Sequence, residues 1–328
     1  MKAIIWTKYG SPDGLQLQEV EKPTPKDNEV LIKVHAASVT AADIELRSFN
    51  TFTAFWLPMR MYIGLFKPTR IKILGQEVAG EIESIGKDVT KFKVGDPVYA
   101  WSALRLSGYA EYICLSQNAM MAIKPHTISY AEAAVISVGA FEAWNYLKGN
   151  VRAGQKVLVV GAGGTIGTFG VQIAKHFGAE VTAVDSAGKF DILRSIGADH
   201  VIDYTQGDYT KSSQAYDVIF DAPGKTSYSR CKRLLKPDGK FLTANPGLSD
   251  QLRTMWNVFS RRRQAPPDSL SQRYEEFMSL RELIASGKIK SVIDKTYPLE
   301  QTAEAHRYAE SGLKKGNIVI TMGYEEDQ

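Results

Sequence analysis

Cysteine is scarce in this chain of 328 residues: there are two, Cys114 and Cys231, far apart in sequence. That excludes a disulfide framework and any Cys-x-x-Cys metal pair. Histidine is sparse too. The five residues His35, His126, His176, His200 and His306 show no paired ligand spacing, so they read as surface or structural side chains and no metal ligand is assigned. No charge of one sign dominates: 40 Lys and Arg stand against 36 Asp and Glu, a net of +4. So small an excess points neither to nucleic acid nor to a membrane surface. The run Arg261-Arg262-Arg263 beside Gln264-Ala265-Pro266-Pro267 reads as a solvated loop, with a contact to a substrate or cofactor phosphate as the alternative. The most apolar stretch outside the middle third, residues 52–66, is broken by Pro58, Arg60 and Gly64, so it is no membrane span. Met1-Lys2-Ala3-Ile4-Ile5-Trp6 enters a strand-like run with no leader pattern, and a cytoplasmic location is expected.

What is present is ordinary for a soluble globular protein, with 44% hydrophobic and 23% charged residues. The length suits two domains at roughly 150 residues each. Strand-like runs at 2–6, 30–36, 78–85 and 109–115 are separated by turns such as Gly10-Ser11-Pro12-Asp13-Gly14 and Lys93-Val94-Gly95-Asp96. They predict a barrel-like or sandwich-like β domain. Near residue 125 the texture changes. Ser129-Tyr130-Ala131-Glu132 has capping-box spacing and predicts an Ala-rich helix running to about Leu147. Strands at 156–160, 180–185, 200–204, 217–221 and 240–244 then alternate with helices from Gly164, across 191–196 and around 227–235. That alternation predicts βαβ units and a parallel sheet. Beyond Gly247, a helix ending at Gly287 is followed by a strand at 291–295, a helix at 300–312 and a strand at 317–322. This tail is β-like enough to complete the first domain. The expected boundaries are 1–124, 125–264 and the returning segment 265–328.

The strand Val157-Leu158-Val159-Val160 is apolar throughout, as a parallel strand covered on both faces should be. It leads into Gly161-Ala162-Gly163-Gly164-Thr165-Ile166-Gly167, and a helical stripe of apolar and small residues follows. Glycines permit a tight turn and close approach to a pyrophosphate, and the helix start offers free amides and a positive dipole end. Gly161, Gly163, Gly164, Thr165, Ile166 and Gly167 are therefore candidate cofactor contacts. The spacing departs from strict G-x-G-x-x-G, but strand, helix and a following acidic residue supply the context that gives the motif meaning. The acidic residue is Asp185, placed to bind both adenosine ribose hydroxyls and to repel a 2′-phosphate. Ser186 and Lys189 stand close enough to welcome that phosphate instead. The reading leans to NADH, with NADPH open. Strand carboxyl ends also nominate Tyr204, Ala222 in its Pro223-Gly224 turn, and Asn245 in its Pro246-Gly247 turn, with plain turn chemistry as the alternative for the last two.

Segments spanning most of the chain now resemble the medium-chain dehydrogenase/reductase superfamily, in its zinc-independent quinone-oxidoreductase-like branch. They include Ala37-Ser38-Val39-Thr40-Ala41-Ala42-Asp43, Leu74-Gly75-Gln76-Glu77-Val78-Ala79-Gly80, Phe92-Lys93-Val94-Gly95-Asp96, the glycine turn, Ile196-Gly197-Ala198-Asp199-His200 and Glu304-Ala305-His306. The resemblance implies a GroES-like β-barrel domain, a Rossmann doubly wound parallel sheet and a homodimer. Zinc-containing members carry cysteine and histidine where this chain has Thr40 and Gln76, and only Glu77 is kept. Two of three expected ligands become hydroxyl and amide, so no zinc is expected. The position matching Thr40 lies near the nicotinamide, which makes Thr40 a candidate substrate-oxygen contact or proton relay, against a merely satisfied hydroxyl. Asn317, a candidate cofactor contact, replaces a customary Lys, and Glu142 a customary Thr.

Without a metal Lewis acid, hydride transfer to a quinone or α,β-unsaturated carbonyl is the expected chemistry. The substrate is expected to be a small apolar carbonyl or quinone, with neither nucleic acid nor membrane as partner. The aromatic stretch 49–66 is expected to line an apolar substrate pocket, or else to serve as core or dimer contact, and Tyr62 is its candidate proton donor. Two other readings stay open: an alcohol dehydrogenase-type enzyme and a non-catalytic NAD(P)H-binding sensor.

Overall fold

The computed structural model describes residues 1–49, 56–244 and 270–324. Its contacts divide the chain into two units, Met1–Val138 with Ser291–Gln328, and Gly139–Lys290.

In the first unit, β1 (Lys2–Trp6) and β2 (Leu15–Glu19) form a two-stranded antiparallel ribbon. A seven-stranded sheet carries the rest. Its strands are β3 (Glu29–Ser38), β4 (Glu77–Ile85), β5 (Pro97–Trp101), β6 (Tyr112–Ser116), β7 (Met120–Ile123), β13 (Ile293–Pro298) and β14 (Asn317–Thr321). The order is β13-β14-β3-β4-β5-β7, with β6 also on β3. The two strands after residue 290 thus return to the sheet built by the first 138 residues. Alternation along these strands buries Ile4, Trp6, Val30, Ile32, Val34, Val78, Ile82, Val98, Ile318 and Ile320 in one core. Helices α1 (Ala41–Ser48), α2 (Trp56–Ile63) and α3 (Tyr130–Ala133) complete this part. The capping box at Ser129 forms as expected, with Ser129 and Glu132 exchanging bonds. The long helix expected after it does not. One α-turn gives way to a π-turn at Ile136–Ala140 before α4 (Phe141–Leu147) begins. The widened turn contains Gly139, where a Cβ would sit 2.7 Å from Thr165 Cγ2, and such insertions interrupt the regular i→i−4 ladder.

Among the described residues the second unit holds a five-stranded sheet: β8 (Lys156–Val160), β9 (Glu180–Asp185), β10 (His200–Asp203), β11 (Tyr216–Asp221) and β12 (Leu235–Thr243). Every pairing is parallel, in the order β10-β9-β8-β11-β12. Helices α4, α5 (Thr165–His176), α6 (Phe190–Ser195), α7 (Tyr228–Cys231) and α8 (Leu270–Ala285) belong to it. This is the Rossmann order 3-2-1-4-5, reversing direction between β8 and β11, where such folds bind ligands. Helix α9 (Thr302–Glu310) belongs to the first unit. Among the described residues no helix is long and apolar enough to cross a membrane.

Candidate functional site

The glycine turn sits at the reversal point of the parallel sheet. Gly161 adopts φ +67°, and a Cβ there would lie 2.6 Å from Pro223 Cδ. Its amide donates to Val184 O at 3.0 Å, which ties the turn to the tip of β9. Gly167 has a second role. A Cβ there would lie 2.2 Å from Gly161 O, so α5 can pack against its own lead-in strand only without a side chain. Gly164 is the N-cap of α5 and provides no side-chain cap. Among the described residues the first-turn amides of Ile166 and Gly167 therefore meet no side-chain cap, which fits a phosphate at that position.

Asp185 ends β9 with 4% of its surface exposed. Its Oδ2 accepts from Gly163 N–H at 2.8 Å and its Oδ1 from Ser186 N–H at 2.8 Å. Lys189 Nζ lies 3.0 Å from Oδ1, the two side chains being 12% and 6% exposed. The Lys189 stem crosses the turn, since a Cβ on Gly163 would be 2.4 Å from Lys189 Cδ. The two residues read as rival ribose and phosphate contacts are therefore one nearly buried ion pair. Tyr204 is an exposed residue just past β10, and Ala222 is buried with its amide on Val160 O at 3.2 Å. Asn245 lies outside the described residues. Asn317 belongs to the first unit, where its buried side-chain amide donates to Val292 O at 3.0 Å. Glu142, in α4, is held above the usual carboxylate range by burial, against a smaller lowering from Arg273.

Thr40 caps α1 in a reciprocal capping box with Asp43. Its hydroxyl donates to Asp43 Oδ2 at 2.6 Å and accepts from Asp43 N–H at 3.1 Å. Gln76 Oε1 accepts from Trp101 Nε1 at 3.2 Å. Glu77 is fully buried, with Oε2 accepting from Ser38 Oγ and Oε1 from Val138 N–H, each at 2.5 Å. Among the described residues no cluster of three or more His, Cys, Asp or Glu side chains is placed to hold a metal ion. Tyr62 lies on α2 with 44% of its surface exposed, and the Arg70 guanidinium stands 5.3 Å from its ring centre. Leu57, Met61, Leu65 and Phe66 around it are exposed as well. Phe52 and Phe55 lie outside the described residues.

Three residues that the motif reading passed over stand behind Thr40. Asp43 is completely buried and also accepts from Gly75 N–H at 3.0 Å. Gly75 reaches it from φ +98°, where a Cβ would sit 2.8 Å from the Tyr109 ring. The buried Tyr109 hydroxyl lies 3.2 Å from His306 Nε2. Burial pushes the Asp43 carboxyl up to about 6 despite the lowering bonds from Thr40 and Gly75 and the lowering influence of Tyr109. His306, fully buried, is pushed down to about 3 by burial and then by Arg47. The Thr40-x-x-Asp43 spacing is legible as a capping box. Tyr109 and His306 carry no such local signal.

The chain matches the family model for an alcohol dehydrogenase GroES-like domain over residues 26–151, and that for a zinc-binding dehydrogenase over residues 196–320. It is 33% identical to the mitochondrial NAD(P)H oxidoreductase RTN4IP1 of Bos taurus, across 98% of this chain and 89% of that one. It is 31% identical to the 2-methylene-furan-3-one reductase of Solanum lycopersicum, across 98% of this chain and 79% of the relative. The quinone oxidoreductase of Coxiella burnetii superposes with a TM-score of 0.83 at 26% identity, covering 98% and 99% of the two chains. With its glycine turn at the reversal of a 3-2-1-4-5 parallel sheet, and its return strands closing the GroES-like part, the chain belongs to the medium-chain dehydrogenase/reductase superfamily, quinone-oxidoreductase-like branch.

Proposed function

We propose that the protein is an NAD(P)H-dependent oxidoreductase that reduces a quinone or an α,β-unsaturated carbonyl, works without zinc and prefers NADH. The observation that carries this reading is the uncapped α5 start behind Gly161–Gly167, with Asp185 at the adjacent strand tip. The names of the relatives, an NAD(P)H oxidoreductase, an enone-type reductase and a quinone oxidoreductase, support the reaction class. When bound, the nicotinamide supplies hydride. The chain's own part is to hold pyrophosphate on the Ile166 and Gly167 amides and ribose at Asp185, and to place a donor at the substrate oxygen. Thr40 is assigned that contact and Tyr62 a supporting proton donor.

Zinc independence rests on the donor set. The Thr40 hydroxyl and Gln76 amide are poor zinc ligands, and both already have partners in Asp43 and Trp101. Both Glu77 oxygens are taken as well. The match to a zinc-binding dehydrogenase model favours one rival, a metal-dependent alcohol dehydrogenase. One panel decides among the readings: metal content of the purified protein, and NADH and NADPH oxidation against quinones and enals with and without chelator. Turnover in substoichiometric zinc is expected. Stoichiometric zinc with chelator-sensitive activity would establish the rival, and tight cofactor binding without oxidation would establish a sensor. The same reading places the protein in the cytoplasm as a homodimer, to be checked by cell fractionation and sedimentation equilibrium.

A further inference from the structure

A helix cap requires only Thr40 and Asp43, yet two more polar side chains are buried behind them. Asp43, Tyr109 and His306 are each 0% exposed, and Thr40 is 4% exposed. They form two bonded pairs, Thr40 Oγ1 to Asp43 Oδ2 at 2.6 Å and Tyr109 Oη to His306 Nε2 at 3.2 Å, and the Tyr109 hydroxyl acts on Asp43 to favour its charged form. His306 Nδ1 has no hydrogen-bond partner among the described residues. Burying such groups is costly unless they are bonded to one another.

We propose that Asp43 is the proton store for the Thr40 hydroxyl, and that the proton on Asp43 decides whether Thr40 can donate to a substrate oxygen. This rests on the reading of Thr40 as the oxygen contact. With Asp43 ionised, the single Thr40 hydrogen is spent on Oδ2, while the Thr40 and Gly75 amides also donate to the carboxylate. With a proton on Oδ2, the 2.6 Å bond reverses. Oγ1 then accepts, and its own hydrogen is released toward the substrate. In the reaction, the alkene β-carbon gains a C–H bond to the hydride of the reduced nicotinamide, and the π electrons move to the carbonyl oxygen. That oxygen takes the Thr40 proton as the Thr40 O–H bond breaks. The Asp43 O–H bond breaks in turn and restores Thr40. Asp43 is left ionised until water reprotonates it. The enol product then becomes the ketone or aldehyde, and the net change is one hydride and one proton added.

The surroundings suit a store of this kind. His306 is held neutral by burial and by Arg47, so no imidazolium faces the chain to drive the proton off Asp43. Arg47, itself buried, is paired with Glu310. Glu77 is the remaining carboxylate acting on Tyr109, and it disfavours a second negative charge there. The carboxyl, pushed up to about 6, is protonated below that pH and loses its proton as pH rises through it.

The test is the pH profile of kcat with an enal, for wild type, Asp43→Asn, Tyr109→Phe and Thr40→Val, beside infrared titration of the cofactor-free protein. Wild-type kcat should fall as pH rises past about 6. Asp43→Asn should lose about tenfold or more in kcat, with KM little changed, and its profile should be flat there. Tyr109→Phe removes a hydroxyl that favours the ionised carboxylate, so its inflection should move to higher pH. A protonated-carboxyl band should titrate in wild type and be missing from Asp43→Asn. If Asp43→Asn does not fold, the Tyr109→Phe shift and the wild-type band decide. Identical profiles in wild type and variant, or no titrating band, would overturn the store. A Thr40→Val enzyme with wild-type turnover would sink the Thr40 reading itself; a slow Thr40→Val beside an unaltered Asp43→Asn profile would sink only the store.

Discussion

Lys189 and Asp185 carry opposite instructions for the cofactor's ribose, and the 3.0 Å between them makes each the other's partner when no ligand is present. Ribose hydroxyls can reach the carboxylate only by displacing Lys189. A 2′-phosphate would gain Lys189 but meet Asp185, whose oxygens are already held by the Gly163 and Ser186 amides. The carboxylate is therefore the fixed member and the lysine the movable one, which is the basis of the proposed NADH preference. Losing one charge-assisted bond costs about 1.5–3 kcal/mol, or about tenfold or more in affinity. Asp185→Ser should accordingly raise KM for NADH about tenfold and swing kcat/KM toward NADPH. Lys189→Ala should penalise NADPH by a similar factor while sparing NADH. Because each substitution leaves a buried charge unpaired, melting temperatures must accompany the kinetics. Unchanged NADH:NADPH ratios in both folded variants would remove this pair from cofactor choice.

Among the elements, the unit from β8 through α5 was the most legible part of the chain, because everything that defines it is local. An apolar strand, a glycine turn and an amphipathic helix adjoin in sequence, and the structure returns them as Lys156–Val160 and Thr165–His176. Gly167→Ala tests why the turn must be so lean. Its Cβ would press on Gly161 O from 2.2 Å, a backbone atom that cannot rotate away. The variant should lose NAD(P)H binding, followed by fluorescence, and melt several degrees lower, whereas Gly188→Ala, which meets nothing within 4 Å, should do neither. A Gly167→Ala protein binding like wild type would show that α5 is free to slide. Less local features escaped the sequence. The strand expected at 240–244 begins at Leu235, running through Pro237-Asp238-Gly239, and its register with β11 shifts between Tyr216 and Val218. Bulges of this kind tolerate residues that otherwise read as a turn. The capping box at Thr40 was readable too, but its continuation was not. Tyr109 stands 66 residues beyond Asp43 and His306 197 beyond Tyr109, so only folding brings them together.

At the scale of the whole molecule, the chain leaves one unit, builds the other without interruption, and comes back. The returning strand β14 lies inside the first sheet. Val319, Ile320 and Thr321 pair with Ser38, Ala37 and Ala36 of β3, while its other edge carries β13. Val39 N–H, one residue before Thr40, donates to Ile318 O at 3.0 Å. The same segment buries Val292, Leu299, Ile318, Val319 and Ile320. At about 2 kcal/mol for each buried side chain, that burial is comparable with the ~5–15 kcal/mol net stability of a whole domain. Removing residues 291–328 would also bare the β3 edge. A chain ending at Lys290 should therefore keep Gly139–Lys290 folded while its first 138 residues do not fold. Limited proteolysis of that truncated chain should spare a fragment from the parallel-sheet unit, still able to quench NAD(P)H fluorescence, and digest the remainder. A protease-resistant fragment covering residues 1–138 would mean that β3 can close its sheet without β14, and that the returning strands serve the site and not the fold.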